Sequence, residues 1–71
     1  MNILIRKTIE KDPYLREWRQ KTAILLMNVG MSDRNIANAI SGGIRNHREC
    51  RNVCDADNIS YKEVRKILGL W

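Results

Sequence analysis

The sequence predicts a small all-α bundle of about four helices containing a helix-turn-helix, with residues 1–11 as an N-terminal strand or arm. Three observations carry that expectation. Capping residues recur at Asp12, Ser32, Asn46 and Ser60, each just ahead of apolar residues at helical spacing. Glycines at 30, 42, 43 and 69 follow those runs, where left-handed stops belong. Finally, a chain of 71 residues has room for one small core, because it buries only about 60% of the surface its unfolded form exposes.

Residues 1–11 are open to more than one reading. Ile3, Ile5 and Ile9 alternate in part with polar residues, as in a short strand, and the segment also suits a loose arm or an extra helix. The domain proper is expected over 12–71. Asp12-Pro13 pairs a cap acceptor with a proline at the first helical position, where its missing N–H costs nothing. From there Leu15, Trp18, Leu25, Leu26 and Val29 form the predicted inward stripe, with Thr22 small enough to sit within it.

Gly30 ends that helix and Met31 covers its end. Ser32 caps a second helix, whose inward residues are Ile36, Ala37 and Ile40, and Gly42-Gly43 breaks it. Asn46 caps a third helix, with Glu49 in capping-box spacing and a thin stripe of Cys50, Val53 and Cys54. Asp55, Asp57 and Asn58 sit badly at a helix C-terminus and mark its end. Ser60 to Glu63 is a full capping box, with Ile59 and Val64 as its hydrophobic staple. The fourth helix buries Val64, Ile67 and Leu68 and stops at Gly69, leaving Trp71 to pack on the first helix or meet a partner.

Thirteen Lys and Arg against eight Asp and Glu give a net charge of +5. Such a balance points to a polyanionic partner, usually nucleic acid. The basic residues are spread along the chain, so no disordered basic arm is expected. The longest apolar run, 23–27, is far short of the roughly 20 residues of a membrane span. Arg6 and Lys7 interrupt the apolar start before a secretory core can form, so a cytoplasmic protein is expected.

Residues 30–48 have the composition of a helix-turn-helix. Ala37 is the small crossing residue, Ile36 and Ile40 the buried pair, and Gly42-Gly43 the turn. The following helix then presents Arg45, Asn46, His47, Arg48 and Arg51. Arginine pairs bidentately with guanine and asparagine with adenine, which suits a reading head for the major groove. An antiparallel helical hairpin with a solvated charged face fits the same pattern.

Met31-Ser32-x-Arg34, followed by Ile36, Asn38, Ile40, Gly43 and Ile44, resembles the helix-turn-helix of the Trp repressor. The run from Arg19-Gln20 through Leu25-Leu26, Ser32, Ile36 and Gly42-Gly43 to Arg45-Asn46-His47 is similar to the DNA-binding domain of the bacterial replication initiator. The resemblance covers about residues 19–54. It implies that Arg45, Asn46, His47 and Arg48 meet base edges, while Ser32 and Arg34 lie near a phosphate. Ile44 is an extra residue relative to the initiator turn, and Asn46 replaces its Asp. Glu49 stands where the Trp repressor has a ligand-binding Arg, so tryptophan sensing is not implied, and no nucleotide-binding loop is present.

A second register places the turn later. Residues 59–67 resemble the recognition helix of Lac-repressor-type regulators, with Val53, Cys54, Asn58, Ile59, Val64 and Ile67 at buried and turn positions. Tyr61, Lys62, Arg65 and Lys66 then become the DNA-facing side chains. Asp57 falls where that pattern expects an apolar residue. A ribbon-helix-helix, with residues 2–9 as an intermolecular strand, would place both glycines inside a helix at about 1 kcal/mol each.

His47, Cys50, Cys54 and Asp57 share one helical stripe, but they extend over about 15 Å of rise, too far to converge on one tetrahedral zinc. Buried reduced thiols are expected instead, with no metal and no cofactor. No constellation at catalytic spacing surrounds the single histidine, so an enzyme is not expected. The expectation is a double-stranded DNA-binding regulator, working as a homodimer because one such helix reads only a few base pairs. A module that docks on a protein partner, without DNA, is the competing class.

Overall fold

The computed structural model describes residues 1–70, so expectations for Trp71 lie outside the described residues. The architecture is all-α. Five helices follow in order: α1 (Ile3–Glu10), α2 (Arg16–Asn28), α3 (Asp33–Ile40), α4 (His47–Asp57) and α5 (Tyr61–Leu68). Helices α1, α2 and α3 pack on one another; α4 packs on α5, and α5 joins the pair to α2.

Helix α1 replaces the strand or arm expected for 1–11. Ile5 and Ile9 stand four residues apart and share a buried face with Thr8, while Ile3 is turned to solvent. Asn2 caps the helix through a 2.7 Å bond from the Leu4 amide to its Oδ1. The alternation of isoleucines is thus a helical face with one exposed outlier. Since α1 contributes Ile5 and Ile9 to the core, the fold has five helices rather than four.

Helix α2 begins later than its proline. Asp12 Oδ1 accepts from the Tyr14 amide at 2.9 Å, and residues 13–15 form a turn before the helix proper. The helix is also rotated from its predicted orientation. Its buried residues are Arg19, Thr22, Ala23 and Leu26, while Leu15, Trp18 and Leu25 stand substantially exposed. The physical reason is Arg19. Its guanidinium is buried, with Nη1 donating to the Thr8 carbonyl at 2.8 Å and Nε to the Ile40 carbonyl at 3.1 Å. These carbonyls belong to the last turns of α1 and α3, where helix dipoles favour a cation. Bonding both ends turns the Arg19 face inward and the Trp18 face outward.

Helices α2 to α5 end alike. At Gly30, Gly42, Asn58 and Gly69 the backbone turns to positive φ, and the amide of the next residue bonds to the carbonyl five positions back along the chain. These are Schellman ends, in which the left-handed residue satisfies carbonyls the helix leaves open. They make the joints after α2 and α4 tight. Between α3 and α4 residues 43–46 form no regular element, with Ile44 buried as an anchor.

Candidate nucleic-acid interface

The start of α4 is built from its own side chains. Asn46 Oδ1 accepts from the Glu49 amide at 2.9 Å. Glu49 reaches back, with Oε2 accepting from the Arg45 amide at 2.7 Å and Oε1 from Arg45 Nη2 at 3.1 Å. The Arg45 amide and then its guanidinium hold the Glu49 carboxyl below the usual carboxylate range. Arg45 is therefore tied to Glu49, whereas Arg48 and Arg51 are exposed without a carboxylate partner among the described residues.

Cys50 and Cys54 occupy the opposite, buried face of α4. Burial pushes both thiols up. At Cys54, the neighbouring Cys50 and the charges of Asp55 and Asp57 add to it and bring the value to about 12. Protonated, enclosed thiols act as small apolar groups. Among the described residues no three His, Cys, Asp or Glu side chains converge as a metal site.

Tyr61, the first residue of α5, connects the two helices. Its hydroxyl lies 2.6 Å from His47 Nδ1, and the Arg51 guanidinium sits 4.2 Å over its ring. Arg65, one turn along α5, is 5.6 Å from the same ring. Lys62 and Lys66 are exposed on the outer side of α5. One member of each candidate set, Arg51 of α4 and Arg65 of α5, thus approaches the same Tyr61 ring, which also bonds His47. Among the described residues, ion pairs join Arg16 to Glu10, Lys21 to Glu17 and Arg45 to Glu49, and none engages Arg48, Arg51, Lys62, Arg65 or Lys66.

Ser32 and Arg34 stand elsewhere. The Ser32 amide and hydroxyl both donate to Asp57 Oδ2, at 3.0 and 3.1 Å, and Asn35 Nδ2 donates to the same oxygen at 3.0 Å. The α3 N-terminus, expected near a phosphate, already holds a carboxylate from the end of α4. Burial raises the Asp57 carboxyl, but the bonds from Asn35 and Ser32 outweigh it and keep the group below its ordinary value. Arg34 lines a shallow groove between α1 and α3, beside Lys11, Asn38 and Ser41.

The paired glycines do bend the chain between α3 and α4, yet the two helices share little packing. The close pair is α4 and α5. Three residues connect them, Asn58 takes the left-handed conformation, and Cys54 and Val64 are fully buried. The contacts of Tyr61 with α4 and the cap that Asp57 supplies to α3 are not visible in the sequence. The single hint was Asp57 itself, a carboxylate misplaced both for a helix C-terminus and for an apolar position. Comparison with protein-family models, curated proteins and solved structures found no match for this chain. No described helix is long and apolar enough to cross a membrane.

Proposed function

We propose that this chain is a sequence-specific DNA-binding regulator of the cytoplasm that meets double-stranded DNA with the joined surface of α4 and α5. The observation that carries the reading is the Tyr61 junction. It brings Arg51 and Arg65 to one ring on two adjoining helices that also carry the exposed Arg48, Lys62 and Lys66, with no carboxylate among the described residues paired to any of the five. The short turn at Asn58, with an apolar crossing beneath it, supports α4–turn–α5 as the helix-turn-helix unit over the α3–α4 register. Tyr61, Lys62 and Arg65 then lie at the start of the reading helix, while Arg48 and Arg51 hold phosphates from the preceding helix. Asn46 and His47 support the junction from the start of α4.

The experiment is fluorescence anisotropy on random and selected duplexes across a salt series. Binding should weaken with a log–log slope of about −4.5 if five cations replace counterions. Replacing Arg48 and Arg51 together by Ala should lower affinity on all sequences and flatten the slope by about 2, whereas Tyr61→Ala with Arg65→Ala should relax sequence preference. No affinity at low salt overturns the DNA reading and leaves the protein-docking class. Loss confined to Arg34→Ala would move the contact to the α1–α3 side.

A further inference from the structure

The groove between α1 and α3 is a second cationic surface. Lys11 at the end of α1 and Arg34 in the first turn of α3 line it, together with apolar Leu4 and Ala37 and the Asn38 carboxamide. It encloses about 370 Å³, and none of the described residues lining it is acidic or aromatic. Among the described residues neither cation is ion-paired, and the Asn38 carboxamide has no hydrogen-bond partner. The acids beside it are engaged elsewhere. Glu10 pairs with Arg16, Asp12 accepts from the Tyr14 amide, and Asp57 is held by Ser32 and Asn35. Asp33 follows Arg34 at about 100° around α3 and does not line the groove.

The two cations stand apart along the groove. Arg19 holds the Thr8 and Ile40 carbonyls, so the last turns of α1 and α3 lie side by side. The Lys11 amide bonds to that same Thr8 carbonyl, which sets Lys11 beside the C-terminal end of α3. Arg34 lies six positions before Ile40, about 9 Å of helix rise away. One small anion does not span that interval. An extended peptide, at about 3.3–3.6 Å per residue, covers it in about three residues.

We propose that this groove takes a short extended segment of a protein partner with two carboxylates about three residues apart. The carboxylates pair with Lys11 and Arg34, the Asn38 carboxamide bonds the segment's backbone, and Leu4 and Ala37 meet an apolar side chain between the acids. An amphipathic helix needs a row of apolar anchors, which two residues do not supply. A single nucleic-acid strand needs aromatic platforms for its bases, and the groove has none. A duplex is too wide to enter between two packed helices and leaves Leu4, Ala37 and Asn38 unused. The inference shares no residue with the α4–α5 surface and does not rest on the DNA reading.

The test titrates the intact, isotope-labelled protein at low salt with peptides of Leu and Ser in which two Asp are separated by one, two, three or five residues. Exposed ion pairs are weak, so a Kd of about 0.1–1 mM is expected, tightest with two intervening residues. The backbone amides of Lys11, Arg34, Asn38 and Ser41 should shift most. Lys11→Gln with Arg34→Gln should weaken binding about fivefold, and Lys11→Arg with Arg34→Lys should hold it within about twofold. Arg48→Gln with Arg51→Gln should leave it unchanged. The proposal is overturned if no peptide moves the groove amides by about 5 mM, if affinity ignores the Asp spacing, or if the shifts fall on α4 and α5. A random duplex that moves the groove amides and displaces the peptide also overturns it, and gives the groove to nucleic acid. Peptide binding here with no duplex binding anywhere would instead overturn the DNA reading alone.

Discussion

The Tyr61 hydroxyl meets His47 Nδ1 at 2.6 Å, so the first residue of α5 is bonded to the first residue of α4. Fourteen positions apart in sequence, these residues turn two short helices into one unit, and the ring between them carries Arg51 on its face. Tyr61→Phe removes the hydrogen bond and keeps the ring. It should cost about 1 kcal/mol in urea unfolding and leave the slope of the transition unchanged. Tyr61→Ala removes the cation–π contact as well and should cost about 2 kcal/mol. Equal losses in the two variants would show that the ring contributes nothing.

A second cross-link, from Asp57 to Ser32 and Asn35, predicts the response to acid. Because the folded carboxyl lies below its ordinary value, the stabilisation is complete above about pH 5 and is lost as pH falls through and below about 4. Glu49, held low by Arg45, acts in the same direction. Asp57→Asn should cost about 1 kcal/mol at neutral pH, where a cap acceptor is weakened, and the cost should shrink towards pH 2. Thermal unfolding of both proteins at intervals between these limits checks it. A gap in melting temperature that does not narrow with acid would contradict the assignment.

The helix boundaries are legible because they are local. Asn46 and Ser60 open helices through caps to residues three positions on, and Gly30, Gly42 and Gly69 close them, with only the chain's near neighbours involved. Ser32 opens α3 as expected, but its bonds run to the distant Asp57. What is not legible is long-range. The face of α2 follows from Arg19 reaching carbonyls on two other helices, and a guanidinium on a sequence stripe gives no sign that it will be buried. Counting apolar spacing alone turns Trp18 and Leu25 inward. The candidate cations of α4 and α5 are each visible in the sequence, but as rival registers, since their meeting depends on how Tyr61 lies across α4.

Arg19 is itself a sharp test of the core. Its charged donors satisfy Thr8 and Ile40 carbonyls at buried ends of α1 and α3. Arg19→Ala leaves both carbonyls without that donor and opens space beneath α2, so it should cost roughly 2–4 kcal/mol. For a domain of this size that lowers the melting temperature by about 10–20 °C. Arg19→Lys should recover less than half, because one ammonium cannot reproduce two donors fixed in a planar fork. Full recovery by Lys would show that charge alone, without the fork, holds the two ends.

The glycine pair between α3 and α4 separates two kinds of constraint. Gly42 has open space where a Cβ would stand, but its φ is +95°. Gly43 has no such backbone demand, yet a Cβ there would collide with the Asn38 carboxamide. Asn38 is exposed, so its side chain can swing into solvent and relieve the contact. Gly42→Ala should therefore cost about 1–2 kcal/mol from backbone strain. Gly43→Ala should fall within about 0.5 kcal/mol of the wild type, since the displaced carboxamide is offset by the lower entropy of the unfolded chain. Adding Asn38→Ala should make Gly43→Ala more favourable while leaving the cost of Gly42→Ala unchanged. Urea unfolding of the five variants measures this as a pair of double-mutant cycles, with coupling at 38–43 and none at 38–42. The reverse pattern would mean that side-chain packing, and not the left-handed end of α3, sets the bend that carries the chain into α4.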